Sequence, residues 1–572
     1  MKYINILKRF KWSSLLGLQI YLFILTSCDK GFLDEKPLDF LTPGNAYSSP
    51  ANIEQGIIGI HQYVRTWWTY NSGTTTIMFA NGTDLAYNGE NPGGGILYDY
   101  SIVITPTSAP PTLYWDYFYT LIQRANVLIN SIKSSDTKIW ANEAEKNAYL
   151  AEAMFFRSLA YRNIVVLWGD APLVIEAFDY VKTDFVRSPK SKLYELIESD
   201  LKFSATNLPP KGKEKAPGRI TQGAAWNLLS EVYLAQSKFQ NAVDAASHVI
   251  LDYNYALMTK RFGTKLGKDI FRSGDPYYDL FQLNNHNLPE NKEAIWVIQV
   301  EPLITGGDAY PGERMYGPAY YRMGNTPDGK VAFRGELYQG VYTGYSDTLG
   351  RPVSWNRPTN YLAYDIWRSD WKNDIRNAEH NIKRNFYFDN PASIYNGKRI
   401  DWSLYPKGAR ASTLNDTCQY IYPYFMKAAA PLEHFTDLNR SGGGTTNKDI
   451  YAMRLAETYL LRAEAYLGLN QKDLAARDIN IIRSRANASP VEPSKVTIDY
   501  ILDERARELY TEEWRLITLM RLGKLVERVR KYNNNPVIPG LNIKDYHNLW
   551  PIPQTEIDLN INSEFKQNPG YN

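Results

Sequence analysis

Two stretches of this chain carry side chains suited to gripping a polar, ring-shaped ligand. The first holds Trp67, Trp68 and Tyr70, followed by Asn81, Asp84 and Asn91, in a segment rich in Gly, Asn and Thr. The second spans residues 306–371, with thirteen aromatics and ten glycines. It contains Tyr316, Tyr320, Tyr321 and Arg322, then Trp355 and Arg357. Glycine permits open loops, and Trp and Tyr offer flat faces at low conformational cost. Flat ligands can stack on such surfaces, while polar groups around them pair with the donors and acceptors of Asn, Asp and Arg. A plainer role stands beside this one, in which each aromatic plugs the core or packs a loop. Tyr361, Tyr364 and Trp367 recur at helix spacing, which favours packing.

Catalytic chemistry has little support. There is no HExxH and no histidine pair at i,i+4; the six histidines are scattered at 61, 248, 286, 380, 434 and 547, so a zinc site is not expected. No GxSxG elbow occurs. Gly442-Gly443-Gly444 lacks the lysine and frame of a phosphate loop. Glycosidase-type carboxylate pairs depend on separation in space, but most acids sit in segments of helical pattern. The expectation is a binding protein without catalytic residues, metal or cofactor, with a structural calcium left open.

These side chains need a frame, and hydrophobic periodicity supplies one. Apolar residues recur at i, i+3, i+4 and i+7 near 51–63, then over 113–130, 142–167, 191–207, 221–237 and 239–251. The pattern returns at 449–469, 472–486 and 498–532. Between 262 and about 444 regularity fails and Gly, Pro, Asn and Tyr dominate, with strand-like runs such as 294–300. Irregular stretches of that length usually carry function. Trp226, Leu229, Tyr233, Phe239, Ala242 and Ala246 fall at tetratricopeptide spacings. Tyr459, Ala463, Tyr466 and Ala475 repeat the scheme more weakly, and residues 115–132 with 144–168 form a third candidate pair. The fold class read from this is mostly α, with helical pairs stacked as a solenoid. Glu504, Arg505, Arg507 and Glu508 are spaced for ion pairs along one helix.

The chain has 572 residues, of which 44% are hydrophobic and 22% charged, enough for a large core. Its net charge of +3 includes Lys2, Lys8, Arg9 and Lys11; without them the chain is nearly neutral, which argues against nucleic-acid binding. Those basic residues precede an apolar stretch from Leu15 to Leu25, too short to span a bilayer but suited to an export signal. It ends Leu25-Thr26-Ser27-Cys28. This looks like a lipobox, in which Cys28 is acylated and anchors the protein to a membrane without spanning it. Asp29 follows; in enterobacteria that position tends to retain lipoproteins at the inner membrane.

With these elements placed, the chain resembles the SusD/RagB family, nutrient-binding lipoproteins of the Bacteroidetes outer membrane. The resemblance rests on FLDEKP after Cys28, YLAEAMFFRSLAYRNIVVLWGDAPL at 149–173 and RITQGAAWNLLSEVYL at 219–234. It continues through RLAETYLLRAEAYLGL at 454–469, INIIRSRAN at 479–487, ILDERARELYTEEWR at 501–515 and LWPIPQTEIDLNINSEFKQNPGY at the end. Residues 517–520 depart from the pattern, since relatives more often carry an acid there. The resemblance implies a signal peptide at 1–27 and one SusD-like domain at 28–572. That domain would have a helical scaffold at about 45–260 and 445–572 and a loop-rich ligand region at about 261–444. It also implies capture of oligo- or polysaccharide at the cell surface, with Asp84 in GTDLA at the family's acidic position. The implied partner is a SusC-like TonB-dependent transporter, on which the protein acts as a lid. RagB-like capture of peptides is the alternative.

Overall fold

Helices form where the apolar period is close to 3.6, and each buries that stripe. The computed structural model describes residues 46–571 apart from 70–72, 179, 269–273, 336, 339, 347, 406–413, 415 and 436–443. Cys28 and the stretch expected to be an export signal lie outside the described residues. Helix α1, Pro50–Thr69, buries Ile53, Ile57, Ile60, Val64, Trp67 and Trp68. It therefore runs past the expected end at residue 63 and takes both tryptophans with it. Helix α2, Ala109–Ser134, begins with Pro110 and Pro111, which lack the N–H groups a first turn leaves unpaired. Helix α3, Glu143–Trp168, is capped by Asn142, whose side chain accepts from the Glu145 N–H.

Helices α4 (Lys190–Asn207), α5 (Gln222–Ala235) and α6 (Phe239–Asp252) follow. After the irregular region come α7 (Leu455–Gly468), α8 (Lys472–Arg485), α9 (Ile498–Leu509), α10 (Arg515–Arg521) and α11 (Leu525–Tyr532). Each of α2 to α7 packs against its successor, and α9 packs back on α7. In the α5–α6 hairpin Leu229, Ala242 and Ala246 are fully buried, and the Ser230 hydroxyl donates to the Ala242 carbonyl at 2.9 Å. Trp226 is only half-buried and stacks on His248, with ring centres 4.3 Å apart. Gly468 lets α7 approach α6, because a Cβ there would lie 2.4 Å from the Phe239 ring.

Two expectations are corrected. The single helix over 498–532 is three helices, broken where Thr511 and Gly523 adopt positive φ. The start of the 449–469 segment is a strand. It pairs antiparallel with the strand expected at 294–300, observed as Ala294–Ile298. Ile450, Tyr451 and Met453 are buried there, as aromatic and β-branched residues in a half-buried ribbon are. Four strands are labelled β1 (Ala86–Tyr87), β2 (Ala294–Ile298), β3 (Arg357–Pro358) and β4 (Ile450–Arg454).

One hydrophobic core runs from Ile53 to Phe565 and includes Tyr316, Tyr320, Phe333, Trp367, Phe388 and Tyr424 from the irregular region. That region is thus folded onto the helices rather than hung beside them. Beneath it lies a buried ionic network. Arg507 meets Glu504 one turn away on α9, but Glu504 also holds Arg376 and Arg483. Glu508 takes Arg376, Arg454 and Arg485 from three other segments.

A second ionic junction ties α1 and α3 to the loop before α5. Glu152 accepts from His61 at 2.7 Å and from Arg219 at 2.6 Å. Burial alone would push this carboxyl up; His61 and Arg219 hold it down to about 2 against an ordinary 4.5. A carboxyl lowered in the folded state stabilises fully above its unfolded value, and that contribution is lost as pH falls through the folded value. We predict that stability declines between pH 4.5 and 2, with Glu152 contributing on the order of 3 kcal/mol. Urea titrations of wild type and Glu152→Gln across that range test this. A decline of the same depth in both would remove Glu152 as a cause.

Candidate functional site

The two aromatic stretches do meet, through β1 and β3. Ala86 pairs with Pro358 and Tyr87 with Arg357. Beside this pairing, the N–H groups of Gly89 and Glu90 both donate to the Ser354 carbonyl, at 2.9 and 3.1 Å. Gly89 is needed for the approach, since a Cβ would lie 2.4 Å from the Cys418 carbonyl and 2.8 Å from Arg357. Ser354 is buried with φ at +75°, a conformation that costs a non-glycine residue about 1–3 kcal/mol. Its hydroxyl holds it there, donating to the Gln419 carbonyl at 2.7 Å and accepting from the Ala319 N–H at 3.0 Å. The turn delivers the next residue, Trp355, to the surface half-buried.

Around Trp355 the polar groups converge. Its Nε1–H donates to Glu90 Oε2 at 3.1 Å. Arg322 donates to Glu90 Oε1, also at 3.1 Å, and these two side chains are 37% and 35% exposed. Arg314 sits over the indole ring, 5.4 Å from its centre. Tyr321 meets Tyr345 edge-to-face at 4.8 Å, and Tyr345 Oη accepts from Arg351 Nε at 2.8 Å. Burial pulls the Arg322 guanidinium down, but Tyr321 and Glu90 more than offset this and keep it above its ordinary value. Burial and the nearby Arg351 charge hold Arg314 below its own. The result is a half-buried indole edged by a carboxylate, guanidiniums and a phenol ring. Such a surface can stack a ring and hydrogen-bond its substituents.

Of the residues expected from sequence, Tyr321, Arg322 and Trp355 gather at this surface, and Asn91 lies exposed on the adjoining loop. Glu90, the acid that links Arg322 to Trp355, was not among them. Tyr70 lies outside the described residues.

The others are interior and are corrected here. Asn81 is fully buried and donates to the Trp355 carbonyl at 2.6 Å. Asp84 is fully buried and accepts from Arg515 at 3.0 and 2.7 Å and from Arg528 at 2.7 Å. Burial would raise its carboxyl, but those two guanidiniums override it and hold it below the ordinary value. With both oxygens so engaged, Asp84 has a clasping role and no face for a ligand. Tyr316 and Tyr320 are buried in the core; the Tyr320 hydroxyl donates to the Gly350 carbonyl at 3.0 Å. Arg357 is buried between Tyr87 and Tyr422. In the set at helix spacing, Tyr361 and Trp367 are buried as packing residues, while Tyr364 is 40% exposed.

Trp67 and Trp68 are also interior, 6% and 5% exposed. Trp67 lies against Tyr117, Phe118 and Trp514 at 4.3 to 4.8 Å between ring centres. It walls a cleft of about 290 Å³ whose other sides are almost wholly apolar, with few partners for hydroxyls. We predict that Trp67→Ala or Trp68→Ala costs about 3–5 kcal/mol of stability and leaves ligand affinity of the folded fraction unchanged. Melting curves beside titrations check this; normal stability with lost binding would return both residues to the site.

Among the described residues, no group of three His, Cys, Asp or Glu side chains is placed to hold a metal. No helix there is long and apolar enough to cross a membrane.

Residues 292–571 match the model of the SusD family, and residues 31–234 match a model described as starch-binding associating with outer membrane. The chain is 27% identical to the starch-binding protein SusD of Bacteroides thetaiotaomicron, over 75% of this chain and 74% of that protein. It is 25% identical to a SusD-like protein of Bacteroides ovatus, over 92% and 85%. Among solved structures, a laminarin-binding SusD-like protein shares the fold with a TM-score of 0.65 at 24% identity, covering 92% of this chain and all of that one. The surface glycan-binding protein A of Bacteroides thetaiotaomicron does so with a TM-score of 0.63 at 18% identity, with the same coverage. With family models matching residues 31–234 and 292–571, the second taking in most of the irregular region, this protein belongs to the SusD/RagB family.

Proposed function

We propose that this protein captures oligo- or polysaccharide at the outer membrane and passes it to a SusC-like TonB-dependent transporter. It is held there by a lipid on Cys28 and performs no chemistry on the glycan. The observation that carries the binding role is the Trp355 indole, half-buried at the surface and bracketed by Glu90 and Arg322. A pyranose can lie on the ring while its hydroxyls reach the carboxylate and the guanidinium. Relatives whose names state starch, laminarin or glycan binding support the same ligand class. The family model's outer-membrane description supports the location. A stack contributes about 1 kcal/mol, so one or two stacks with a few hydrogen bonds give a Kd of roughly micromolar to millimolar. Weak holding suits a protein that must release its cargo.

Titration calorimetry of the mature chain against starch, laminarin and other purified polysaccharides tests this, with oligopeptides as a parallel arm. Saturable heat with a polysaccharide, recovered unshortened, is expected. Binding of peptides alone would overturn the glycan reading, and shortened chains would overturn passive capture.

A further inference from the structure

Two large aromatic side chains of the irregular region stand outside both the core and the Trp355 surface. Tyr364 is 40% exposed and Trp371 is 43% exposed. Their rings are nearly parallel, 14° apart in plane, with centres 6.4 Å apart. A lone exposed apolar side chain needs no explanation. Two that are held parallel by a built framework are a different matter. The six residues between them, Asp365–Asp370, form a 3₁₀ segment that buries Ile366 and Trp367. Asp370 ties this segment down, accepting from Arg483 on α8 at 2.7 Å and from the Ser489 N–H at 2.9 Å.

Arg384 fixes both ring-bearing positions at once. It donates to the Ala363 carbonyl, one residue before Tyr364, at 2.9 Å, and to Asn377 Oδ1 at 2.7 Å. Asn377 in turn donates from Nδ2 to the Trp371 carbonyl at 2.7 Å. The same guanidinium lies over the Trp371 ring, 4.7 Å from its centre, and so backs one face of it. The rings are therefore in place before a ligand arrives, which spares the ordering cost that loose side chains would add on binding. Asp365 follows Tyr364, Lys372 and Asn373 follow Trp371, and all three are exposed. Flat apolar faces with donors and acceptors close by suit a ligand that is itself apolar on its face and polar at its edge, as a pyranose is. Among the described residues, no hydrogen bond, ion pair or ring contact joins either ring to Trp355, Glu90 or Arg322. Tyr364 follows Trp355 by nine residues, so their Cα atoms lie no more than about 32 Å apart, within reach of one polymer chain.

We propose that Tyr364 and Trp371 form a second glycan platform, which holds a further stretch of the polysaccharide captured at Trp355. This rests on the glycan reading above and adds a contact to it. Two weak contacts on one polymer reinforce each other, because the second forms at the high local concentration set by the first.

Calorimetry of the full mature chain against starch, laminarin and other purified polysaccharides tests this, with melting curves alongside. Wild type is compared with Tyr364→Ala, Trp371→Ala, Trp355→Ala and the double variant Trp355→Ala plus Trp371→Ala. Tyr364→Ala and Trp371→Ala should each weaken binding about fivefold, the worth of one stack, and melt close to wild type. Trp355→Ala should keep a residual response that the double variant loses. Should Trp371→Ala fail to fold, Tyr364→Ala decides, since its ring is exposed. Affinity unchanged in both Tyr364→Ala and Trp371→Ala overturns the platform and leaves capture at Trp355 standing. Losses in those two variants with full affinity in Trp355→Ala support the platform and overturn the Trp355 reading instead. A wild-type chain that binds no polysaccharide overturns both.

Discussion

Replacing Glu508 with alanine is expected to cost at least about 3–5 kcal/mol of folding free energy, the usual penalty for stranding buried charge. Glu508 is fully buried on α9. One carboxylate oxygen accepts from Arg454 at 2.7 Å and from Arg485, the other from Arg376 at 2.9 Å. Burial alone would make this carboxyl a weak acid; instead Arg485, Arg454 and Arg376 drive it far below its ordinary value. Alanine removes the one carboxylate that, among the described residues, meets all three guanidiniums, and all three are buried. Glu508→Gln keeps the shape but loses the charge, and should fall between wild type and alanine. The exposed pair Arg368–Asp365, 78% and 43% accessible, supplies the contrast. Arg368→Ala should change stability by less than about 0.5 kcal/mol. Urea unfolding of the three variants measures all of this. If Glu508→Ala unfolds at the wild-type midpoint, the network contributes nothing to stability.

The second large effect concerns binding. Trp355→Ala should weaken polysaccharide affinity by about 10- to 100-fold, combining a lost stack with a lost ordering contact to Glu90. Stability should change far less than for Trp67 or Trp68, because Trp355 is only half-buried. Trp355→Phe separates the contributions. It keeps a flat face but cannot donate to Glu90, so an intermediate loss is expected. Calorimetry against whichever polysaccharide binds the wild type measures both. An unchanged Kd in the alanine variant would move the site away from this indole.

The helical scaffold was legible because burial writes a period of 3.6 into sequence, and each helix of α2 to α8 appears close to its expected place. The same signal could have been followed further in α1. Ile53, Ile57, Ile60, Val64 and Trp67 continue one stripe, which already argued for packing of Trp67. The β4 strand was missed because five residues leading straight into a helix blur two periods. At the site, Tyr321, Arg322 and Trp355 could be picked from composition and clustering. Glu90 could not, since NGENPGGG reads as a turn and the meaning of its acid depends on Arg322, 232 residues away. Asp84 failed for the same reason in reverse. Local sequence marks it as a polar loop residue, and only the distant guanidiniums turn it inward.

That clasp has a consequence for timing. Asp84 leaves the ribosome 431 residues before Arg515 and 444 before Arg528. At ordinary rates of synthesis this is a delay of roughly 20–90 s. Until then the turn bearing Glu90 has its own residues and no counter-ions to seat it. Closing so long a separation is also slow for the finished polypeptide. The Trp355 surface is therefore among the last parts of the molecule to mature, and a chain halted short of residue 515 would possess every side chain of that surface without its arrangement.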